Sequence, residues 1–181
     1  MDRLVDHDTS GDQAALGFSG VQVLHMLERA DILRGLRPRH LELFLESGSA
    51  TEIQPDTILA VKDGHVDYIY IILEGTVQLS TPTVHGYLEL RNAGPGETIP
   101  LSALLGDGAL LTTALAVGSV LAFQLPVRQV QRICEDYPDA GRAVYAQIAE
   151  IFAGRYRKTV DRLAAGGQGT VIAALESLLT S

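Results

Sequence analysis

Few side chains in this 181-residue chain stand where they could do chemistry. His65-Val66-Asp67, followed by Glu74-Gly75, brings an imidazole and carboxylates close together in sequence. Such donors suit a divalent metal. No further histidine follows closely to complete a ligand set, and Pro95-Gly96 leads into Glu97, Thr98 and Ile99. His65 beside Asp63 and Gly64 reads instead as a turn residue, and His7, His25, His40 and His85 are scattered over a tail, helices and a hairpin tip. Cys134, the only cysteine, neighbours Glu135 and Asp136, whose charges disfavour a thiolate. Ser102 lacks a Gly-x-Ser-x-Gly turn and a nearby histidine. These residues point away from catalysis, and no metal or cofactor is expected.

The stretch Gly94-Pro95-Gly96-Glu97-Thr98-Ile99-Pro100-Leu101-Ser102-Ala103-Leu104-Leu105 is more informative. It reads as a turn, a strand end and a brief helix, with Pro100 at the first helical position, where a missing N–H costs little. Helix starts favour anions. The elements around it must hold it in place. Met1 to about Gly20 is polar and acidic and is expected to be a flexible tail. Val23, Leu24, Leu27 and Ala30 give helical spacing over Val21 to Leu36, and a second short helix follows over His40 to Leu45. From Ala50 to Val127 the pattern becomes short strands between turn residues, near 51–53, 57–61, 68–73, 76–80, 87–90, 111–117 and 120–125. Strands spaced in this way predict a closed sheet or jelly roll. The fold class is therefore α+β, a β-barrel flanked by N-terminal helices and a long C-terminal helix.

Val127 to Glu135 reads as a helix, and Asp136 is placed to cap the next one, with Pro138 and Asp139 in its first turn. Val144, Ile148, Ile151, Phe152, Tyr156, Val160 and Leu163 then mark one helical face, opposite Glu150, Arg155, Arg157, Lys158 and Arg162. The stripe outlasts what a compact barrel covers, so it predicts a homodimer, with the charged face in solvent. Packing on the chain's own barrel is the alternative. Gly166-Gly167-Gln168-Gly169 predicts a hinge, and Val171 to Leu179 a terminal amphipathic helix that packs or meets a partner. The expected divisions are 1–20, 21–165 with the barrel at 50–127 and helices at 127–165, and 166–181.

Tyr70-Ile71-Ile72-Leu73-Glu74-Gly75-Thr76-Val77 and the Gly94 to Leu105 stretch resemble the strand–Gly–strand and cassette motifs of cyclic nucleotide-binding domains of the catabolite-activator (Crp/Fnr) type. The resemblance covers roughly Leu24 to Leu163. In that family a Gly-Glu-Leu-Ala-Leu run and a later Arg bind the ligand, the Glu holding the ribose hydroxyl and the Arg the phosphate. The resemblance puts Pro100 at the Gly, Leu101 at the Glu and Leu110 or Leu111 at the Arg. The degenerate cassette spans Gly96, Pro100, Leu101, Ser102, Ala103, Leu110, Leu111, Thr112 and Thr113. Aliphatic side chains can neither accept from a hydroxyl nor neutralise a phosphate. Loss of ordinary cyclic AMP or cyclic GMP binding follows. Two outcomes stay open: Ser102, Thr112 and Thr113 offer hydroxyls to an atypical ligand, or Leu101, Leu104, Leu110 and Leu111 fill the pocket.

The formal net charge of −8, from 22 acidic against 14 basic residues, argues against direct nucleic-acid or anionic-membrane binding. A transcription factor of the resembling type continues into a winged helix-turn-helix, and too few residues follow the long helix here for one. The single cysteine excludes an internal disulfide. No signal peptide or spanning segment is evident, which predicts a cytoplasmic protein. The expected function is a non-enzymatic regulatory or protein-interaction module with an unidentified protein partner. An atypical small-ligand or cyclic nucleotide sensor and a cupin-like metal enzyme are the alternatives.

Overall fold

The structure is a computed structural model that describes residues 19–166. All but the last two residues of the expected tail lie outside that range, as do the hinge beyond Gly166 and the expected terminal helix. Helix α1 is Gly20–Glu28 and opens on a capping box, in which the Gln22 N–H donates to Ser19 Oγ and the Ser19 N–H to Gln22 Oε1. It is shorter than its apolar period suggests. Ala30, Ile32 and Leu33 continue that pattern but are buried from a run of turns. Helix α2, Pro38–Ser47, starts on a proline, where the absent N–H would have had no partner.

Eight strands follow: β1 Ser49–Ile53, β2 Ile58–Ala60, β3 Tyr68–Glu74, β4 Val77–Thr83, β5 Gly86–Ala93, β6 Thr98–Ile99, β7 Thr113–Ala116 and β8 Val120–Pro126. They form two antiparallel four-stranded sheets, ordered β1-β8-β3-β6 and β2-β7-β4-β5, with the jelly-roll layout expected. Ile69, Ile71, Ile72, Phe123 and Leu125 fill the interior, and Phe44 of α2 joins the same core. Ile69 and Ile71 share one face of β3, and Phe123 and Leu125 one face of β8, as period 2 requires, while Ile72 is buried from the opposite face of β3. The corner between β3 and β4 requires Gly75. Its φ is +92°, and a Cβ there would lie 2.6 Å from the Ser119 carbonyl oxygen.

Helix α3, Val127–Asp136, buries Val130, Ile133 and Cys134. Asp136 ends this helix rather than capping the next, because Tyr137 alone separates it from α4, Pro138–Gly166. Asp139 does lie in the first turn of α4, where it pairs with Arg37. The two helices meet backbone to backbone at Gly141, where any Cβ would collide with the Cys134 carbonyl. Beyond that contact the apolar stripe divides. Val144 and Ile148 belong to the chain's own core, so these two members of the expected dimer face are not available to a partner. Ile151 and Phe152 are half-buried, and Tyr156, Val160 and Leu163 are exposed.

Candidate ligand-binding site

The Gly94 to Glu97 turn is fixed on both sides. The Gly96 N–H donates to the Ile72 carbonyl at 2.8 Å, and the Gly96 carbonyl accepts from the Asp31 N–H at 2.8 Å. Asp31 then reaches under β6, its carboxylate accepting from Thr98 Oγ1 at 2.6 Å and from the N–H groups of Thr98 and Ile32. Burial raises the Asp31 pKa above the usual carboxylate value, and those hydrogen bonds oppose the shift.

Past β6 the expected helix is a single 3-10 turn, Leu101–Leu104, and Pro100 precedes it in extended conformation instead of starting it. So short a turn aligns too few peptide dipoles to make an anion site by itself. Leu101 is 3% exposed and Leu110 1%, both inside the core with Ala103 and Leu104, whereas Leu111 is 58% exposed. The Leu110 backbone is tied to the turn at Gly64, donating to its carbonyl at 3.0 Å. Ser102 Oγ accepts from the Leu111 N–H at 3.3 Å. Thr113 is buried and its Oγ1 accepts from the Lys62 N–H, so its hydroxyl faces away from any ligand. Ser102 and Thr112 are the two cassette hydroxyls left at the site.

Leu101, Leu104 and Leu110 are sunk into the core, and Leu111 is exposed. A cavity of about 880 Å³ lies between the cassette side of the barrel and α4, within the usual range for small-molecule sites. Leu79, Leu90, Ile99, Pro100, Leu101, Ser102, Leu111 and Thr112 line it from the barrel. From α4 come Phe152, Arg155, Tyr156, Lys158, Thr159, Arg162 and Leu163. Arg155, Lys158 and Arg162 border the cavity: Arg155 is half-buried there, unlike the solvent-facing stripe expected, while Lys158 and Arg162 are exposed at its edge. Their spacing was the available signal, since residues three, four and seven apart share one helical face.

Arg91 and Glu97, also on the lining, had no assigned role from sequence. Arg91 Nη1 donates to Glu97 Oε2 at 2.5 Å and to the Asn92 carbonyl at 3.1 Å. Arg155 Nη2 stands 3.7 Å from the same Glu97 oxygen, so two guanidinium groups share one carboxylate. Burial, and then the neighbouring Arg91 charge, lowers the Arg155 pKa, while Glu97 and Asp31 oppose the shift. Arg91 Nη2 is buried without an acceptor, the one such side-chain atom among the described residues.

The other candidates stand apart from this cavity. His65 is exposed, with Nε2 3.2 Å from the Asp107 carbonyl, and no three metal-ligating side chains cluster among the described residues. Burial and then the Glu135 charge push the Cys134 thiol up to about 11, which keeps it protonated. No described helix is long and apolar enough to cross a membrane.

Residues 50–137 match the model of the cyclic nucleotide-binding domain family. Solved structures agree in fold. A cyclic nucleotide-binding domain from Methylobacillus flagellatus superposes with a TM-score of 0.69 at 16% identity, over 83% of this chain and 85% of that one. The N-terminal domain of a transcriptional regulator from Streptomyces coelicolor gives 0.60 at 23%, over 80% and 99%. The regulatory subunit of a cAMP-independent protein kinase A from Trypanosoma brucei, a mutant bound to cAMP in its A site, gives 0.65 at 18%, over 80% of this chain. The chain spans about half of that subunit, 51% of its length. None of the curated proteins matches the chain.

Proposed function

We propose that this chain is a non-enzymatic regulatory module that does not bind cyclic AMP or cyclic GMP in the family's usual way. The burial of Leu101 and Leu110 in the core carries this reading, since no carboxylate or guanidinium stands at either position. The one carboxylate on the cavity, Glu97, is paired with Arg91 and does not stand at the position where the resemblance puts the ribose-binding Glu. A structural relative described as cAMP-independent supports regulation on this fold without that ligand. Self-association through Tyr156, Val160 and Leu163 belongs to the same proposal, with a further protein as the target of regulation. The open cavity favours a second reading, a sensor for a different small ligand.

Calorimetric titration of the full chain with cyclic AMP and cyclic GMP is the test. No heat of binding up to millimolar ligand is expected. Micromolar binding lost on substitution of Leu111 would overturn the proposal.

A further inference from the structure

The cavity keeps a cationic wall that the cassette reading leaves unused. Arg91, Arg155, Lys158 and Arg162 border it against the single carboxylate of Glu97. The rest of the lining is chiefly aliphatic, from Leu79, Leu90, Ile99 and Leu101 on the barrel to Leu163 on α4. We infer that this cavity takes an amphipathic anion, its acidic head beside Arg91 and Arg155 and its apolar body along the sheet. The inference rests on the reading above that ordinary cyclic nucleotides no longer bind.

Charge and hydrogen bonding decide the class. Arg91, Arg155, Lys158 and Arg162 leave the lining net positive against Glu97, even with Asp31 behind Arg155, in a partly enclosed site where Arg91 Nη2 has no acceptor. A guanidinium fork fits either a carboxylate or a phosphate monoester. Leu79, Leu90, Ile99 and Leu101 offer a hydroxyl no partner, so the part of the ligand that lies along them is apolar. Arg155 also lies over the Phe152 ring, with Cζ 5.9 Å from its centroid, so the cation is held where α4 faces the barrel.

Calorimetry on the full chain separates the alternatives, with octanoate, octan-1-ol, acetate, inorganic phosphate and cyclic AMP as probes. Octanoate should bind, octan-1-ol and acetate at least about tenfold more weakly, since a hydrogen-bonded charge and an apolar chain each contribute on that scale. Arg155→Gln should weaken octanoate about tenfold or more, and Glu97→Gln should tighten it severalfold by releasing both guanidinium groups. The opposite signs exclude a general loss of folding as the cause. Equal binding of octanoate and octan-1-ol, no octanoate binding, or octanoate affinity indifferent to both substitutions would overturn the inference. Phosphate binding alone would show an ion site without the apolar requirement and would overturn it too. Cyclic AMP binding would reject the parent reading instead, so the two failures are distinguishable.

Discussion

The two walls of the cavity carry opposite kinds of residue. On the barrel side the turn at Leu101–Leu104 and the strand entry at Leu110 are apolar and sunk into the core. On the helix side Arg155, Lys158 and Arg162 stand at helical spacing on α4. Positive charge thus comes from α4 and from Arg91 on β5, and not from the turn where the family resemblance places it. A ligand's charge would therefore be read by the helix, whose position also governs the Tyr156, Val160 and Leu163 surface. Binding and self-association would then share one rigid element.

The sharpest way to break this contrast is to put charge back on the barrel wall. Leu110→Arg should cost at least about 3 kcal/mol, because it places an unpaired cation in the core. Leu111→Arg is expected to change stability by no more than about 0.5 kcal/mol, its side chain being exposed at the cavity. Denaturant unfolding of both variants measures the difference. Combining Leu111→Arg with Leu101→Glu should raise cyclic AMP affinity into a range calorimetry can detect. Tolerance of Leu110→Arg together with destabilisation by Leu111→Arg would reverse the assignment of the two leucines.

The two halves of α4 make the next test. Ile148→Ala should cost about 2–5 kcal/mol, the range for a buried aliphatic truncated to a methyl. Leu163→Ala, on the exposed half, should stay within about 0.5 kcal/mol for the protomer. If chemical denaturation gave equal losses, α4 would not be divided into an anchored and an overhanging part.

The division of α4 also shows what the sequence could and could not carry. Strands were legible because alternation at Ile69, Ile71, Phe123 and Leu125 fixes which face is covered, and Gly75 marked its corner correctly. Periodicity on α4 found a real stripe but could not say what covers each part, so Val144 and Ile148 were grouped with Leu163. The same ambiguity extended α1 through Ala30 and Leu33, where apolar spacing persists after the helix has ended. The cassette helix was overread because a propensity for helix in Leu101–Leu104 does not set its length. The cavity was out of reach altogether. It joins Arg91 to Arg155, residues brought together by the path of α4 over the barrel, and no local pattern encodes that distance.

Self-association is a smaller and more direct probe of the overhanging half. Val160→Asp and Tyr156→Asp are expected to shift sedimentation velocity toward monomer without altering the unfolding midpoint, because both residues are exposed in the protomer. A native chain that sediments as a monomer at high micromolar concentration would remove the dimer from the proposal. The cavity contrast would survive that result, since every residue lining it comes from one chain.

The smallest expected effect lies at the anchored end of α4, where α2 meets it. His40 is 2% exposed, tilted against Tyr137 with ring centroids 5.8 Å apart, and its Nε2 accepts from Arg39 Nε at 3.2 Å. Asp139 approaches to 3.7 Å but is already paired with Arg37. Burial, then the Arg37 and Arg39 charges, hold the His40 pKa below its ordinary 6.5. A proton therefore binds the unfolded chain more readily than the folded one, and stability should fall as pH drops through and below that value. Urea midpoints measured between about pH 7 and pH 5 should show this slope, and His40→Gln should flatten it. An unchanged slope in that variant would assign the pH dependence to other groups and leave the joint between α2 and α4 neutral in the acid response.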